Sequence, residues 1–314
     1  MGEKDLTRYL KNRIEKCYEE VEFNDQYYLY AKGNIPVMLV AHIDTVSGSK
    51  PTNIKFDSKR NTLSTNSVLG ADDRAGIAAI LQLIHEGFRP HILFCQDEEC
   101  GGVGASMAGE LLKIEGVNIV VELDRRGSTD FVTYDCENPE MDKWISEFGF
   151  KKSYGTFTDI SFICPDFGIG GVNLSIGYYN EHTKSEFLNL IDWSNTIAKV
   201  KKILLSPPQE KFDYIKLPGT RYSDGWDYKY YRDYDYDYKK SATTTSSKTV
   251  LAEGIAFEIT AEEIMSYDYD GDLDWYEIVD TCSEELNEVA REAAIKAIIN
   301  YKNDYLYNVS TSRR

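Results

Sequence analysis

The chain of 314 residues carries 35 Lys+Arg against 52 Asp+Glu, a formal net charge of −17. Its hydrophobic content of 42% and charged content of 28% suit a soluble globular protein with room for one sizeable α/β domain and something smaller. The negative charge would be repelled by phosphate backbones and anionic headgroups, which argues against nucleic acid or a membrane surface as a partner.

The chain opens on "MGEKDLTRYLKNRIEKCYEEV", a charged amphipathic helix without the apolar core of a signal peptide. No run approaches the ~18 apolar residues of a membrane span, so the expected location is the cytoplasm. The cysteines at 17, 95, 100, 136, 164 and 282 form no C-x-x-C pair, and Cys95 in "HILFC" reads as a buried strand thiol. "IPVMLVAH" (35–42) is an apolar strand with a polar tip. "SVLGADDRAGIAAIL" (67–81) sets Asp72 and Asp73 at the mouth of a helix whose Ile77, Ile80, Leu81 and Ile84 share one face. Two carboxylates suit the positive end of a helix dipole on their own account, so a capping role and a metal role stay open at this point.

"HILFCQDEE" repeats the pattern of buried strand and acidic tip, and "GASMAGELLK" is the next helix. "VNIVVELD" is a third strand, and "GVNLSIGYYNEH" a fourth that leads to His182. "SEFLNLIDWSNTIAKVKKILL" is a long amphipathic helix that stops before Pro207-Pro208. Apolar strands alternating with helices predict a three-layer α/β fold, with a mostly parallel mixed sheet and helices on both faces.

In open α/β sheets, ligands sit outside the carboxyl ends of the strands. Here His42 with Asp44, Glu98 with Glu99, Asp124, His182 and the Asp72 helix mouth all fall on that rim. A pair of zinc ions about 3.5–4 Å apart needs this inventory: histidines, a shared carboxylate, one further carboxylate per ion and a base for the water between them.

"AHIDTV", "LGADDRAGIAAI", "QDEECGGVGA", "VELDRRG" and "YYNEHTKSEF", in that order, resemble the metal motifs of the di-zinc exopeptidase superfamily. That group includes zinc aminopeptidases, tripeptidases of the peptidase T type and related amidohydrolases. The resemblance implies that His42 and Asp124 hold one metal, Glu99 and His182 the other, and Asp72 bridges them. Asp44 would orient His42, and Glu98 would be the catalytic base that takes a proton from the bridged water and returns it to the leaving amine. The cofactor implied is two Zn2+, or other divalent ions such as Co2+ or Mn2+.

The implied activity is hydrolysis of peptide bonds in a peptide or small amide, by an aminopeptidase or small-peptide exopeptidase with a hydroxide bridged by both zincs. An N-acyl amino-acid amidohydrolase or deacylase of the same superfamily is the alternative, as is a non-catalytic metal-stabilised binding module. The intervals 72 − 42 = 30 and 182 − 124 = 58 residues leave no room for the lid or insertion domains of larger members, which implies a minimal catalytic domain. "GTFTDISFI" (155–163) resembles a segment near the substrate, so Thr158 and Asp159 are candidate contacts, with a helix cap as the other reading. Tyr178 or Tyr179 is a candidate donor to an oxyanion, and Arg125 or its neighbour Arg126 a candidate for a substrate carboxylate.

The expected division is a di-zinc peptidase-like catalytic domain over 1–206, a Tyr/Asp- and Ser/Thr-rich linker or arm over 207–250, and a small helical C-terminal module over 251–314. The last helix, with Leu286, Val289, Ala290, Ala293 and Ala297 on one face, is a candidate surface for oligomerisation or a protein contact. "SYDYDGDLDWYE" (266–277) fits a calcium loop at Asp268, Asp270, Asp274 and Glu277 but has Ser266 at its first position; the alternative is an acidic surface loop.

Overall fold

The computed structural model describes residues 2–47 and 50–217, and the strand pair within 247–260. The chain divides into two units, Met1–Tyr231 and Arg232–Arg314. The first begins with α1 (Glu3–Ile14), β1 (Val21–Asn24), β2 (Tyr28–Ala31), β3 (Ile35–His42), β4 (Lys55–Asp57), β5 (Thr62–Ser64), α2 (Ala71–His85) and β6 (Pro90–Cys95). It continues with α3 (Val103–Leu111), β7 (Ile119–Arg125), β8 (Asp130–Val132), α4 (Pro139–Ser146), β9 (Lys151–Lys152) and α5 (Asp159–Phe167). Then come β10 (Gly171–Ser175), β11 (Tyr178–Tyr179), β12 (Phe187–Asn189) and α6 (Leu190–Leu205). In the second unit, β13 (Ser247–Ala252) and β14 (Ile255–Thr260) form an antiparallel hairpin.

The main sheet has the order β1-β2-β6-β3-β7-β10-β8-β9. Its centre, β6-β3-β7-β10, is parallel; β1, β2 and β8 join it through antiparallel pairs, and β9 pairs with β8 in parallel at the edge. The two-residue period of a strand sends alternate side chains into separate cores. Val37, Leu39 and Ala41 of β3 pack with Leu10 of α1, Ile80 and Leu83 of α2, and Val200 of α6. Met38 and Val40 pack on the other face with Ala105 and Ala108 of α3 and Ile160 and Ile163 of α5. The sheet is thus covered on both sides, as its continuous apolar strands predict. Cys95 is a fully buried, free thiol.

Two predicted elements are divided. "GVNLSIGYYNEH" breaks at Gly177, whose φ of +93° ends β10 and sends β11 into a second sheet of order β11-β12-β5-β4. The long helix begins only at Leu190, because Phe187–Asn189 pairs with β11 and β5, and the Asn189 side chain accepts from the amides of Ile191 and Asp192. Residues 207–217 are laid along the first unit rather than linking away from it. Asn118 Nδ2 donates to Pro208 O at 2.8 Å, Gly170 N to Phe212 O at 2.7 Å, and Leu217 N to Asp135 O at 2.8 Å. The proposed calcium loop at Asp268, Asp270, Asp274 and Glu277, and the expected terminal helix, lie outside the described residues. No helix among the described residues is long and apolar enough to cross a membrane.

Candidate metal centre

The carboxyl ends of β3, β6 and β7 and the start of α2 deliver their side chains to one spot. His42 ends β3 fully buried, with Asp44 two residues on. Helix α2 opens from Gly70 at φ 68°, and neither Asp72 nor Asp73 has helical φ/ψ. Asp73 is fully buried, and its carboxylate accepts the His42 amide at 3.3 Å and the Gly76 amide at 2.9 Å. It secures the helix mouth to β3, while Asp72 is left to face the rim.

The two oxygens of Asp72 face different imidazoles. Oδ1 lies 3.0 Å from His42 Nε2, and Oδ2 lies 3.0 Å from His182 Nε2. Each imidazole nitrogen has a second carboxylate: Asp124 Oδ1 at 3.5 Å from His42 Nε2, and Glu99 Oε1 at 3.1 Å from His182 Nε2. The result is two groups, His42–Asp124 and His182–Glu99, with Asp72 common to both. All five residues predicted as ligands come together.

Asp44 fastens this arrangement from behind. Its Oδ1 is 3.3 Å from His42 Nδ1, and its two oxygens accept the amides of Glu98 and Glu99, each at 3.1 Å. One side chain thereby lies against a histidine ring and ties down the loop after β6. Asp124 is held equally closely: Tyr178 donates to its Oδ1 at 3.0 Å and Thr158 to its Oδ2 at 3.1 Å. Asn173 bonds both sides of its backbone, accepting from Asp124 N at 3.0 Å and donating to Asp124 O at 2.9 Å.

The electrostatics are those of a site short of positive charge. Burial, reinforced by Asp72, pushes the Asp124 carboxyl up to about 7. Burial together with Asp124 and Glu99 raises Glu98 well above the carboxylate range. Burial opposes charge on His182, yet the Asp72 and Glu99 carboxylates push it up to about 12. Asp72, although buried, is held low by His182 and His42. Glu99 Oε1 is buried, and the His182 Nε2 beside it at 3.1 Å is shared with Asp72. His42, Asp72 and Glu99 each offer a ligand atom, all within 4.8 Å of one another. Imidazole nitrogens and surplus buried carboxylate oxygens are a donor set that fits divalent transition metals.

The candidate substrate contacts fare differently. Thr158 is 2% exposed, with its single hydroxyl hydrogen shared between Asp124 and Glu122 Oε1, 2.9 Å away, so it faces these carboxyls rather than a substrate. Asp159 is fully buried at the start of α5 and has no surface to offer. Tyr179 turns away, donating to Asp192 at 2.8 Å and stacking on Phe187 at 5.0 Å; Tyr178 is the tyrosine that reaches the site. Arg125 donates to Ser153 Oγ at 3.1 Å and lies 3.9 Å from Asp130.

No protein-family model matches the chain, and no curated protein does. Solved structures do. Aminopeptidase PepT from Bacillus cereus superposes with a TM-score of 0.50 at 16% identity, covering 63% of this chain and 91% of that one. A tripeptidase from Staphylococcus aureus gives 0.52 at 15% identity, again covering 63% and 91%. The fold is that of these peptidases. The likeness holds although few residues are shared.

Proposed function

We propose that this chain is a metal-dependent exopeptidase that hydrolyses short peptides, with two divalent ions, zinc before Co2+ or Mn2+, as its cofactor. The observation that carries the reading is the division of the Asp72 oxygens between His42 and His182. His42, Asp124 and Asp72 would hold one ion, and Glu99, His182 and Asp72 the other. When bound, such a pair supplies Lewis acidity, acidifying a water and polarising a carbonyl.

The protein's own groups do the rest. Glu98 is 9% exposed and adjoins Glu99, and a carboxylate there suits a group that takes a proton from water and passes it to a leaving amine. Asp44 holds His42 Nδ1, leaving Nε2 toward the rim, and fixes the backbone of Glu98 and Glu99. Tyr178 and Thr158 aim the Asp124 carboxylate. Burial excludes bulk water, so each of these interactions is stronger than it would be at the surface.

The test is zinc quantification on the purified full chain, coupled to digestion of a peptide library. Loss of single residues from one end supports the proposal. Cleavage of N-acylated amino acids but not of free-amine peptides would mean the amidohydrolase alternative. A full metal complement with no hydrolysis of either would mean a binding module.

A further inference from the structure

The loop that carries His182 is fastened on both sides. Before the histidine, Glu181 Oε1 lies 3.2 Å from Nη1 of Arg126, on the segment just beyond Asp124. After it, Glu186 is fully buried, and its carboxylate crosses to the start of α2. Its Oε2 accepts the Gly70 amide at 2.8 Å, and its Oε1 accepts Ala71 N at 2.7 Å and Asp72 N at 3.2 Å. Amides at a helix start have no partner within the helix, and the dipole there favours an anion. A carboxylate brought from a distant loop meets three of them together.

Around the first anchor the backbone leaves the usual regions. Asn180 and His182 have φ of 55° and 64°, a region that side chains other than glycine occupy when their surroundings enforce it. The His182 side chain is 44% exposed, against 1% for His42. His42 is held by a strand and by Asp44; His182 depends on its loop.

We propose that Glu186 is a positioning residue that locks the Asp72 backbone to the His182 loop, so that the shared carboxylate and the exposed histidine keep their registration. The inference rests on the two-metal reading of the site. Asp72 serves both ions but His182 only one. Loosening Glu186 therefore weakens the ion held by His182 and Glu99 more than the one held by His42 and Asp124.

Competition between the full-length protein and a chromogenic chelator for zinc, with thermal melts alongside, tests this. His182→Ala identifies the weaker site as the binding step it removes. In Glu186→Ala that step should weaken about 10–100-fold, the range typical for residues that support metal ligands. Glu186→Gln keeps one acceptor oxygen but turns an NH2 toward an amide, so it should fall between alanine and wild type. If the alanine variant does not fold, the isosteric glutamine variant carries the comparison.

Trp193→Phe is the control. Trp193 Nε1 of α6 donates to Ala75 O of α2 at 2.9 Å, beyond residues 70–72, so its loss should lower the melting temperature and leave both zinc affinities unchanged. Wild-type affinities in both Glu186 variants, or an equal loss in Trp193→Phe, would overturn the proposal while leaving the metal centre intact. A wild-type chain that binds no zinc would overturn the metal centre itself.

Discussion

His182 Nε2 lies 3.0 Å from Asp72 Oδ2, joining the loop after β11 to the mouth of α2. The other oxygen of Asp72 belongs to His42, so the two histidines should be separable by metal stoichiometry. His182→Ala should bind one zinc per chain, and Asp72→Ala should bind neither tightly. Inductively coupled plasma analysis of dialysed protein reads this directly. Two tightly held ions in Asp72→Ala would remove the shared-carboxylate arrangement.

Glu98 has no first claim on a metal in this arrangement, so its removal should separate binding from turnover. Glu98→Gln should retain both zincs and its melting temperature but lose about 10²–10⁴-fold in kcat, the usual contribution of general acid–base catalysis. An unchanged kcat with intact metal would assign the proton transfer to another group.

If the metals bind only the folded chain, their removal should destabilise it. A ligand present at 100 times its Kd stabilises by about 2.7 kcal/mol, and the buried carboxylates left behind repel one another. Chelation should therefore lower the melting temperature by several degrees, and zinc should restore it. Identical melts with and without chelator would mean that no ion is held tightly.

Much of this was legible in the chain because buried strands are apolar on both faces and their polar tips stand out. His42, Glu99 and Asp124 follow such runs, and the Asp72–Asp73 pair opens an unmistakable amphipathic helix. The small second sheet was not legible: its strands are two or three residues long, too short for a period to show. Tyr178 and Tyr179 are adjacent, and only the pleat of β11 decides which one faces Asp124. Thr158 and Asp159 resemble a segment near the substrate, yet at the start of α5 both are buried, Thr158 against Asp124 and Glu122. The role of Glu186 is not legible because its partners are backbone amides, which carry no sequence signature.

Gly76 is where α2 meets β7, and the contact admits no side chain. A methyl there would collide with Leu123 O and with the Asp73 carboxylate. Neither can retreat: one is sheet backbone beside Asp124, and the other secures the helix mouth. Gly76→Ala should cost about 1–3 kcal/mol of stability, despite alanine's better helix propensity, and should weaken zinc binding as well. Urea denaturation measures the first effect, and a gain in stability would mean that α2 sits farther from the sheet.

His91 gives a pH dependence that is independent of the metal centre. It is 2% exposed, and its Nδ1 shares a hydrogen bond of 2.8 Å with the Tyr30 hydroxyl. Burial, with a smaller contribution from Lys32, lowers its pKa from 6.5 to about 4. As pH falls through 6.5 the unfolded chain takes up this proton and the folded chain does not, so stability is lost between pH 6.5 and about 4. At 1.36 kcal/mol per pKa unit the whole interval is worth about 3 kcal/mol. His91→Gln keeps a hydrogen-bonding group for Tyr30 without the titration, so the wild type should lose more stability than this variant when urea midpoints at pH 7 and pH 4.5 are compared. The ring protons of His91 in an NMR titration provide the direct check, and a midpoint above 6 would rule this origin out.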